Sequence, residues 1–191
     1  DWQGTPQWKK FEEEFAPLGV EIVYLPHTDG ISSTQLTAFI KKELEEIDAI
    51  HSNGGGSSIG YTTGVFDLFH IGHLNILRRA KERCDKLIVG VSTDENVMSY
   101  KHKNPTVPFD ERIRIIKAIK YVDYVVEQAD MDKFKAWEKL HYNVMFHGSD
   151  WKNSSMYDEI EAKLNTVGVK VDFLPHTDGV STTMLSEKIN K

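Results

Sequence analysis

Two histidines and two glycines within one short segment carry the strongest chemical signal in the sequence. Residues 64–73 read Gly-Val-Phe-Asp-Leu-Phe-His-Ile-Gly-His, directly after an apolar run and before an amphipathic stretch. A helix that begins after a strand and a tight turn offers unpaired backbone N–H groups and a partial positive charge to an anion. His70 and His73 add two donors on one face of the first turn, and Gly72 leaves room for a phosphate near the backbone. The segment predicts a site that stabilises a nucleotide's phosphates during substitution at phosphorus.

Two other interpretations of the histidine pair stay open at this point. The histidines could be ordinary helix-start residues, or they could form half of a metal site. Neither interpretation explains why Gly64, Asp67 and Gly72 share the same stretch. Asp67 itself has two possible roles, namely direct catalysis and acceptance of backbone N–H bonds that hold the turn.

The order of the motifs along the chain resembles that of the nucleotidyltransferase superfamily that includes the cytidylyltransferases. The resemblance starts from His-x-Gly-His after Gly-x-Phe-Asp, and it runs from about Ile59 to Lys191. The later motifs follow in the family's order: Ser92-Thr93-Asp94-Glu95, Lys101 with Lys103, Glu111-Arg112, Tyr121-Val122-Asp123, Gly148-Ser149-Asp150-Trp151 and His176 to Thr183. Within the family, the last two segments are most similar to those of the bacterial glycerol-3-phosphate cytidylyltransferases.

The resemblance implies transfer of CMP from CTP to a small alcohol phosphate, with sn-glycerol 3-phosphate as the first choice of acceptor and pyrophosphate as the leaving group. It implies catalytic roles for four residues: His70, His73, Lys101 and Lys103. It places three lysines at the acceptor phosphate: Lys101, Lys120 and Lys133. It implies nucleotide contacts from a larger set: Gly64, Val65, Phe66, Gly72, Asp94, Arg112, Asp150, Trp151, His176, Thr177, Ser181, Thr182 and Thr183. Mg²⁺ is expected to arrive with the triphosphate, and no dedicated protein metal site is expected.

Several of these positions keep more than one interpretation. Arg112 could contact phosphate, brace the site or pair with a carboxylate of its own helix. Lys120 and His176 stand where relatives carry arginine, which removes bidentate phosphate recognition, and Val65 stands where relatives carry threonine. Other alcohol or sugar phosphates, ATP as the donor, and a non-catalytic nucleotide-binding or assembly module therefore remain alternatives. The lysine pair is predicted to lie in a loop over residues 100–105.

The composition and charge of the sequence limit the classes of protein to which it can belong. The 191 residues carry a formal net charge of −6 and are 40% hydrophobic, enough for one domain or a little more. The negative balance argues against a general nucleic-acid binder. The sequence contains no apolar stretch of transmembrane length, and no signal peptide is visible, so a cytoplasmic enzyme without membrane insertion is expected. Cys84 is the single cysteine, which excludes an intrachain disulfide. By resemblance, the chain is expected to form a homodimer.

The sequence also contains an incomplete repeat. Residues 1–42 align without a gap on residues 150–191, with 16 identities that include Leu25–Gly30 against Leu174–Gly179. Such a match indicates internal duplication, yet His-x-Gly-His occurs once. We therefore divide the chain into a partial copy of the C-terminal third of a cytidylyltransferase domain (1–50), a Gly/Ser linker (51–58) and a complete domain (59–191). Tandem domains in a parent protein are the simplest account. Residues 1–50 could cover the main domain or exchange with another chain.

Strands and helices alternate in the predicted structure. In the partial copy we predict a helix over 6–15, a strand over 20–25 and a helix over 34–47. In the complete domain we predict strands over 59–63, 87–92, 121–126, 144–148 and 169–174, with helices between them, one of which Asp130 caps. This order predicts an α/β fold, a doubly wound open parallel sheet of Rossmann-like type. His70, Asp94, Asp150 and Ser181 follow strand ends, where such sheets bind ligands.

Overall fold

The computed structural model describes residues 3–25, 32–52, 56–152 and 154–189. The chain divides into two compact units, Asp1–Ser32 and Ser33–Lys191. The repeated segment Pro26–Gly30, which includes His27, lies outside the described residues, as do the repeated Asp1-Trp2 pair and residues 53–55 of the predicted linker.

The first unit contains helix α1 (Pro6–Phe15) followed by a short 3-10 turn (Ala16–Leu18). The ring of Trp8 packs against the rings of Phe11 and Tyr24. The predicted helix over 6–15 is confirmed, but the predicted strand over 20–25 is wrong, because these residues have no regular structure. The described residues of this unit offer no neighbouring strand with which that segment could pair.

The second unit is built on a five-stranded sheet, as predicted. Its strands are β1 (Ile59–Gly64), β2 (Lys86–Ser92), β3 (Tyr124–Gln128), β4 (Val144–Gly148) and β5 (Lys170–Leu174). All pairings are parallel, in the order β3-β2-β1-β4-β5. The order reverses between β1 and β4, and ligands in such sheets bind at this point, beyond the carboxyl ends of the strands.

Helices cover both faces of the sheet, which explains the continuous apolar run of β2. They are α3 (Ile71–Lys81), α4 (Asp94–Lys101), α5 (Phe109–Lys117), α6 (Lys133–Leu140), α7 (Ser155–Asn165) and α8 (Thr182–Ile189). Alternate residues of β2 belong to two hydrophobic cores, one on each face of the sheet. Leu87, Val89 and Val91 pack in one core, and Ile88 packs in the other.

Two predicted boundaries are corrected. Asp132, not Asp130, caps α6, because its carboxylate accepts hydrogen bonds from the backbone N–H groups of Phe134 and Lys135. β3 begins at Tyr124 rather than at residue 121, because the preceding residues form a turn in which the Val122 N–H binds the carbonyl of residue 119.

Helix α2 (Ser33–Ser52) wraps the edge of the sheet at β3. Its Ile40 belongs to one core and its Ile47 to the other. Between them the buried Glu43 accepts a hydrogen bond from the Val125 N–H of the edge strand at 2.9 Å and pairs with Lys117 at 2.8 Å. The predicted helix over 34–47 is thus present and extends into the segment predicted as a linker, and α2 belongs to the compact unit that contains the sheet. That residues 1–50 are a partial copy stays a prediction.

Within the described ranges, no helix combines the length and the apolar character needed to cross a membrane.

Candidate active site

The turn between β1 and α3 has an unusual backbone. Phe66 and Leu68 both have positive φ, at 55° and 45°, a left-handed conformation that non-glycine residues adopt at a cost. The Phe66 ring folds back over the end of β1, and a Cβ at Gly64 would lie 3.0 Å from it. The glycine at position 64 therefore gives the turn room to close.

Asp67 holds this turn and also ties it to a second loop. Its carboxylate accepts hydrogen bonds from the N–H groups of Leu68 at 3.0 Å and of Thr106 and Val107 at 2.9 Å each. Burial by itself raises the pKa of Asp67, but these hydrogen bonds outweigh it, and the pKa lies below its usual value. The structure therefore supports the interpretation in which Asp67 holds the turn by accepting backbone N–H bonds.

His70 and His73 stack face to face at the start of α3, with ring centroids 3.9 Å apart. Nδ1 of His70 accepts a hydrogen bond from the Gly72 N–H at 3.1 Å, so the neutral ring carries its proton on Nε2. A Cβ at Gly72 would lie 2.8 Å from Cε1 of His70. Gly72 thus makes room for the His70 ring, in addition to the room for a phosphate that the sequence predicts.

Both histidines favour the neutral form. Burial, and then the neighbouring His176, lower the pKa of His70. Burial lowers the pKa of His73 to about 3, and the charges of His70 and Lys101 act in the same direction. Nδ1 of His73 is buried and has no hydrogen-bond partner among the described residues. An anion near this pair would therefore favour uptake of a proton.

Lys101 is the last residue of α4, so its predicted position in a loop is corrected. The helix ends because His102 takes a left-handed conformation with φ of 56°, and Lys103 follows directly. Lys101 and Lys103 both line the same cavity as the histidines. Partial burial, and then the charge of Lys103, lower the pKa of Lys101. Two ammonium groups that repel each other in this way favour binding of an anion between them.

Arg112 braces the floor of the site. Its buried guanidinium donates hydrogen bonds to the carbonyls of Val107 and Ser92, each at 2.8 Å, and to the carbonyl of Val65. It also pairs with Asp94, and Asp94 in turn accepts a hydrogen bond from the backbone N–H at residue 109. These contacts use most of the donors of the guanidinium, and neither Arg112 nor Asp94 lines the cavity. The structure therefore supports the bracing interpretation of Arg112.

An aromatic wall closes the cavity beyond β4. Trp151 lies with its ring 5.6 Å from the rings of His147 and Tyr157, and a Cβ at Gly148 would come within 2.4 Å of Oδ1 of Asp150. Burial, followed by the charge of Lys133, lowers the pKa of His147 to about 4. The sequence interpretation missed His147, although its position at the end of a predicted strand, next to Gly148, was a usable signal.

The segment before α8 forms the third wall. Nδ2 of Asn75 donates to Oγ1 of Thr177 at 3.2 Å, which ties this segment to α3. Ser181 caps α8 by accepting the Met184 N–H at 3.2 Å. The Thr182 hydroxyl donates to the carbonyl of residue 67 at 3.2 Å and lies 3.5 Å from Nε2 of His70. Thr182 thus joins the C-terminal segment to the histidine turn.

Together these walls enclose a cavity of about 560 Å³ at the point where the strand order reverses, a size typical of small-molecule sites. Fifteen of the predicted site residues line it: Gly64, Val65, Phe66, His70, Gly72, His73, Lys101, Lys103, Asp150, Trp151, His176, Thr177, Ser181, Thr182 and Thr183. Four do not: Asp94, Arg112, Lys120 and Lys133. Lys120 instead lies over the ring of Tyr121, and Lys133 is buried beside a second cavity.

The chain is similar to known proteins over most of its length. The Cytidylyltransferase-like family model matches residues 61–188. Glycerol-3-phosphate cytidylyltransferase of Staphylococcus aureus is 35% identical over 129 residues, which cover 67% of this chain and 92% of that protein. Ethanolamine-phosphate cytidylyltransferase of Dictyostelium discoideum is 37% identical over 127 residues, which cover 65% of this chain and 34% of that protein.

A solved structure shows the same fold. The crystal structure of the lipopolysaccharide core biosynthesis protein from Thermoplasma volcanium GSS1 matches with a TM-score of 0.55 and 27% identity, covering 64% of this chain and 98% of that chain. The matched family model spans the β1 turn, the lysine pair and the segment before α8, which together form the cavity. The chain therefore belongs to the cytidylyltransferase-like family of nucleotidyltransferases.

Proposed function

We propose that this chain transfers CMP from CTP to a small alcohol phosphate, with sn-glycerol 3-phosphate as the acceptor, to give CDP-glycerol and pyrophosphate. The observation that carries the proposal is the cavity in which two stacked histidines, two lysines and the start of α3 face one space. Membership of the family supports the reaction class, and the relative from Staphylococcus aureus supports the choice of acceptor.

In this reaction an oxygen of the acceptor phosphate forms a bond to the α-phosphorus of CTP, and the bond to pyrophosphate breaks. A phosphate monoester is nucleophilic near neutral pH, so the protein's task is to align the two groups and to neutralise charge. His70 would donate from Nε2 to a phosphate oxygen, and His73 would bind the triphosphate beside it. Lys101 and Lys103 would bridge the triphosphate and the acceptor phosphate.

The remaining walls would bind the nucleoside and close the site. Asp150 and Trp151 would face the cytosine or the ribose, and Asp150 could accept a hydrogen bond from the cytosine amino group. Thr182 would hold His70 in a fixed position relative to the segment that follows β5. Arg112 would act on the nucleotide only through the backbone of the turn that it braces.

Magnesium would enter with the triphosphate. Among the residues that the structure describes, no group of three or more His, Cys, Asp or Glu side chains is arranged to hold a metal ion. In this proposal the triphosphate carries the ion into the site, since Mg²⁺ is commonly bound through substrate phosphates. The ion would offset negative charge on the triphosphate.

The acceptor is the part of the proposal with a specific rival. The relative from Dictyostelium discoideum is named for ethanolamine phosphate, and an ethanolamine-phosphate acceptor needs the same phosphate contacts. A pyrophosphate-release assay with CTP or ATP, against glycerol 3-phosphate and the ribitol, ethanolamine and choline phosphates, separates these cases. Turnover with CTP and glycerol 3-phosphate is expected, and binding of CTP without turnover on any of the acceptors would contradict the proposal.

We also propose that the chain works as a homodimer in the cytoplasm. Resemblance to the family supports the dimer, and sedimentation equilibrium of the full chain tests it. A mass of one chain across the concentration range used in the assay would contradict it.

A further inference from the structure

His147 lines the larger cavity but lies outside the motifs on which the family resemblance rests. It is a residue of β4, one position before the strand ends at Gly148. Its Nδ1 accepts a hydrogen bond from the backbone N–H of Gly148 at 3.0 Å, so the neutral ring carries its proton on Nε2. The backbone thereby makes His147 a hydrogen-bond donor through Nε2.

This Nε2 donor is open to the cavity. Among the described residues it has no hydrogen-bond partner, yet it is not one of the buried atoms left without a partner. The ring is held in place, since its centroid lies 4.6 Å from that of Tyr157 and 5.6 Å from that of Trp151. A donor fixed by packing and by a backbone hydrogen bond is already oriented for a ligand oxygen.

His147 approaches the cavity from the face of the sheet opposite to the histidine turn. Side chains alternate along a strand, so His147 shares the face of Met145, which packs in the same core as Tyr157 of α7. The histidine turn leads into α3, whose Leu77 packs in the core on the other face. Since β1 and β4 are neighbours, the two groups of donors flank one space from two sides.

The proposed reaction needs phosphate contacts on two sides. In a substitution at phosphorus the attacking and leaving oxygens lie roughly in line, so the acceptor phosphate must lie across the α-phosphorus from the pyrophosphate. The triphosphate would lie against the histidine turn and the start of α3. The acceptor phosphate would then enter from the face covered by α6 and α7, which is the face of His147.

The charges near His147 favour an anion at this position. Burial, followed by the charge of Lys133 at the start of α6, lowers the pKa of His147, and the charge of Asp150 opposes this more weakly. Nζ of Lys133 has no hydrogen-bond partner among the described residues, so no contact within this part of the chain neutralises it. Sequence resemblance implies that Lys133 acts at the acceptor phosphate, and His147 lies within the field of that same charge.

We propose that His147 binds the acceptor substrate, with its Nε2–H donating a hydrogen bond to an oxygen of the acceptor phosphate on the side opposite the leaving pyrophosphate. This inference rests on the proposed cytidylyl transfer and adds to it a residue that binds one substrate. Lys101 and Lys103 would bridge both substrates, whereas His147 would contact the acceptor alone. Because Nδ1 is bound to the backbone, the neutral ring acts as a donor and not as a general base.

Two amide variants separate the donor from the ring. Glutamine reaches the position of Nε2 and keeps a donor there, whereas the shorter asparagine reaches only the position of Nδ1, and both lack the ring. We expect H147N to raise the KM of sn-glycerol 3-phosphate by about 10–100-fold, the size of a hydrogen bond to a charged group, and to change the KM of CTP by less than about twofold. H147Q should recover most of the loss. H51N makes the same substitution at a histidine of α2 that does not line the cavity, and it should leave both KM values unchanged.

Equal losses in H147N and H147Q would show that only the packing of the ring matters, and they would refute the proposal. A rise in the KM of CTP without a rise in that of the acceptor would refute it as well. If the parent chain turns over no acceptor, the proposed function fails, and binding decides the role of His147.

For that case the full chain, labelled with ¹⁵N at histidine, is titrated with sn-glycerol 3-phosphate and followed by NMR. The His147 signal, identified by its loss in H147Q, should shift. Its pKa should rise from about 4 by about one unit, because an adjacent anion favours the charged ring. A His147 signal that does not respond to glycerol 3-phosphate overturns the assignment.

Discussion

Replacement of Arg112 with methionine distinguishes a brace from a phosphate contact. The guanidinium side chain is 0% exposed and donates to the carbonyls of Val65, Ser92 and Val107 while it pairs with Asp94. Methionine keeps much of the apolar stem and none of the donors. The variant therefore leaves three carbonyls and one carboxylate without this partner, in the layer directly below the histidine turn.

The cost follows from those contacts. Each carbonyl loses about 1 kcal/mol of net hydrogen-bond stabilisation, and the penalty of unsatisfied acceptors adds to it. The Asp94 side chain is 34% exposed, so solvent offsets part of the lost ion pair. Asp94 also keeps its hydrogen bond from the backbone N–H at residue 109. We expect R112M to lower the free energy of unfolding by about 3–5 kcal/mol, in the range seen when one partner of a buried pair is removed.

Urea unfolding, followed by circular dichroism, measures this change. R114M is the matched control, because Arg114 lies on the same helix with an exposed side chain, and it should change stability by less than about 0.5 kcal/mol. A double-mutant cycle with D94N isolates the ion pair. If R112M unfolds at the same urea concentration as the parent chain but loses affinity for CTP, Arg112 contacts the nucleotide and the bracing argument is wrong.

Three further predictions concern the histidine turn and α2. The pKa of His73 is about 3 in the folded chain, so below about pH 6.5 the unfolded chain binds more protons than the folded one. The free energy of unfolding should therefore fall as the pH drops from about 6.5 towards about 3. Urea unfolding at several pH values should show that the stability of H73N depends less on pH than that of the parent chain. G72A puts a Cβ 2.8 Å from the His70 ring and should lower kcat by about 10–100-fold with little change in stability, as pyrophosphate release and thermal melting would show. E43Q weakens the ion pair between α2 and the sheet and should cost about 1–2 kcal/mol, whereas E45Q, on the exposed face of α2, should be neutral in the same urea assay.

The sequence was most informative where function depends on local geometry. The strand, turn and helix around His70 and His73 could be predicted because glycine spacing and apolar periodicity act over a few residues. The strand-end rule then placed Asp150 and Ser181 near the same space, and the structure puts both in the lining of the cavity.

Longer-range contacts could not be predicted in the same way. Whether Arg112 points into the cavity or below it depends on carbonyls that come from three separate segments. The start of α6 was also not evident from the sequence, because Asp130 and Asp132 are both suitable caps and the structure uses Asp132. The acceptor-phosphate role expected for Lys133 stays a prediction. The predicted strand over 20–25 lacked a partner strand, a requirement that its own residues do not reveal.

The histidine turn has a consequence for the thermodynamics of binding. Two non-glycine residues in left-handed conformations, Phe66 and Leu68, hold strain of the order of 1 kcal/mol or more each. Asp67 offsets this strain by accepting three hydrogen bonds, one from Leu68 within the turn and two from Thr106 and Val107 of the neighbouring loop. A loop fixed in this way loses little conformational freedom when a ligand arrives. The entropy lost on binding should therefore come mainly from the ligand's own torsions, and a stiffened triphosphate analogue should gain more affinity than any substitution that rigidifies the protein.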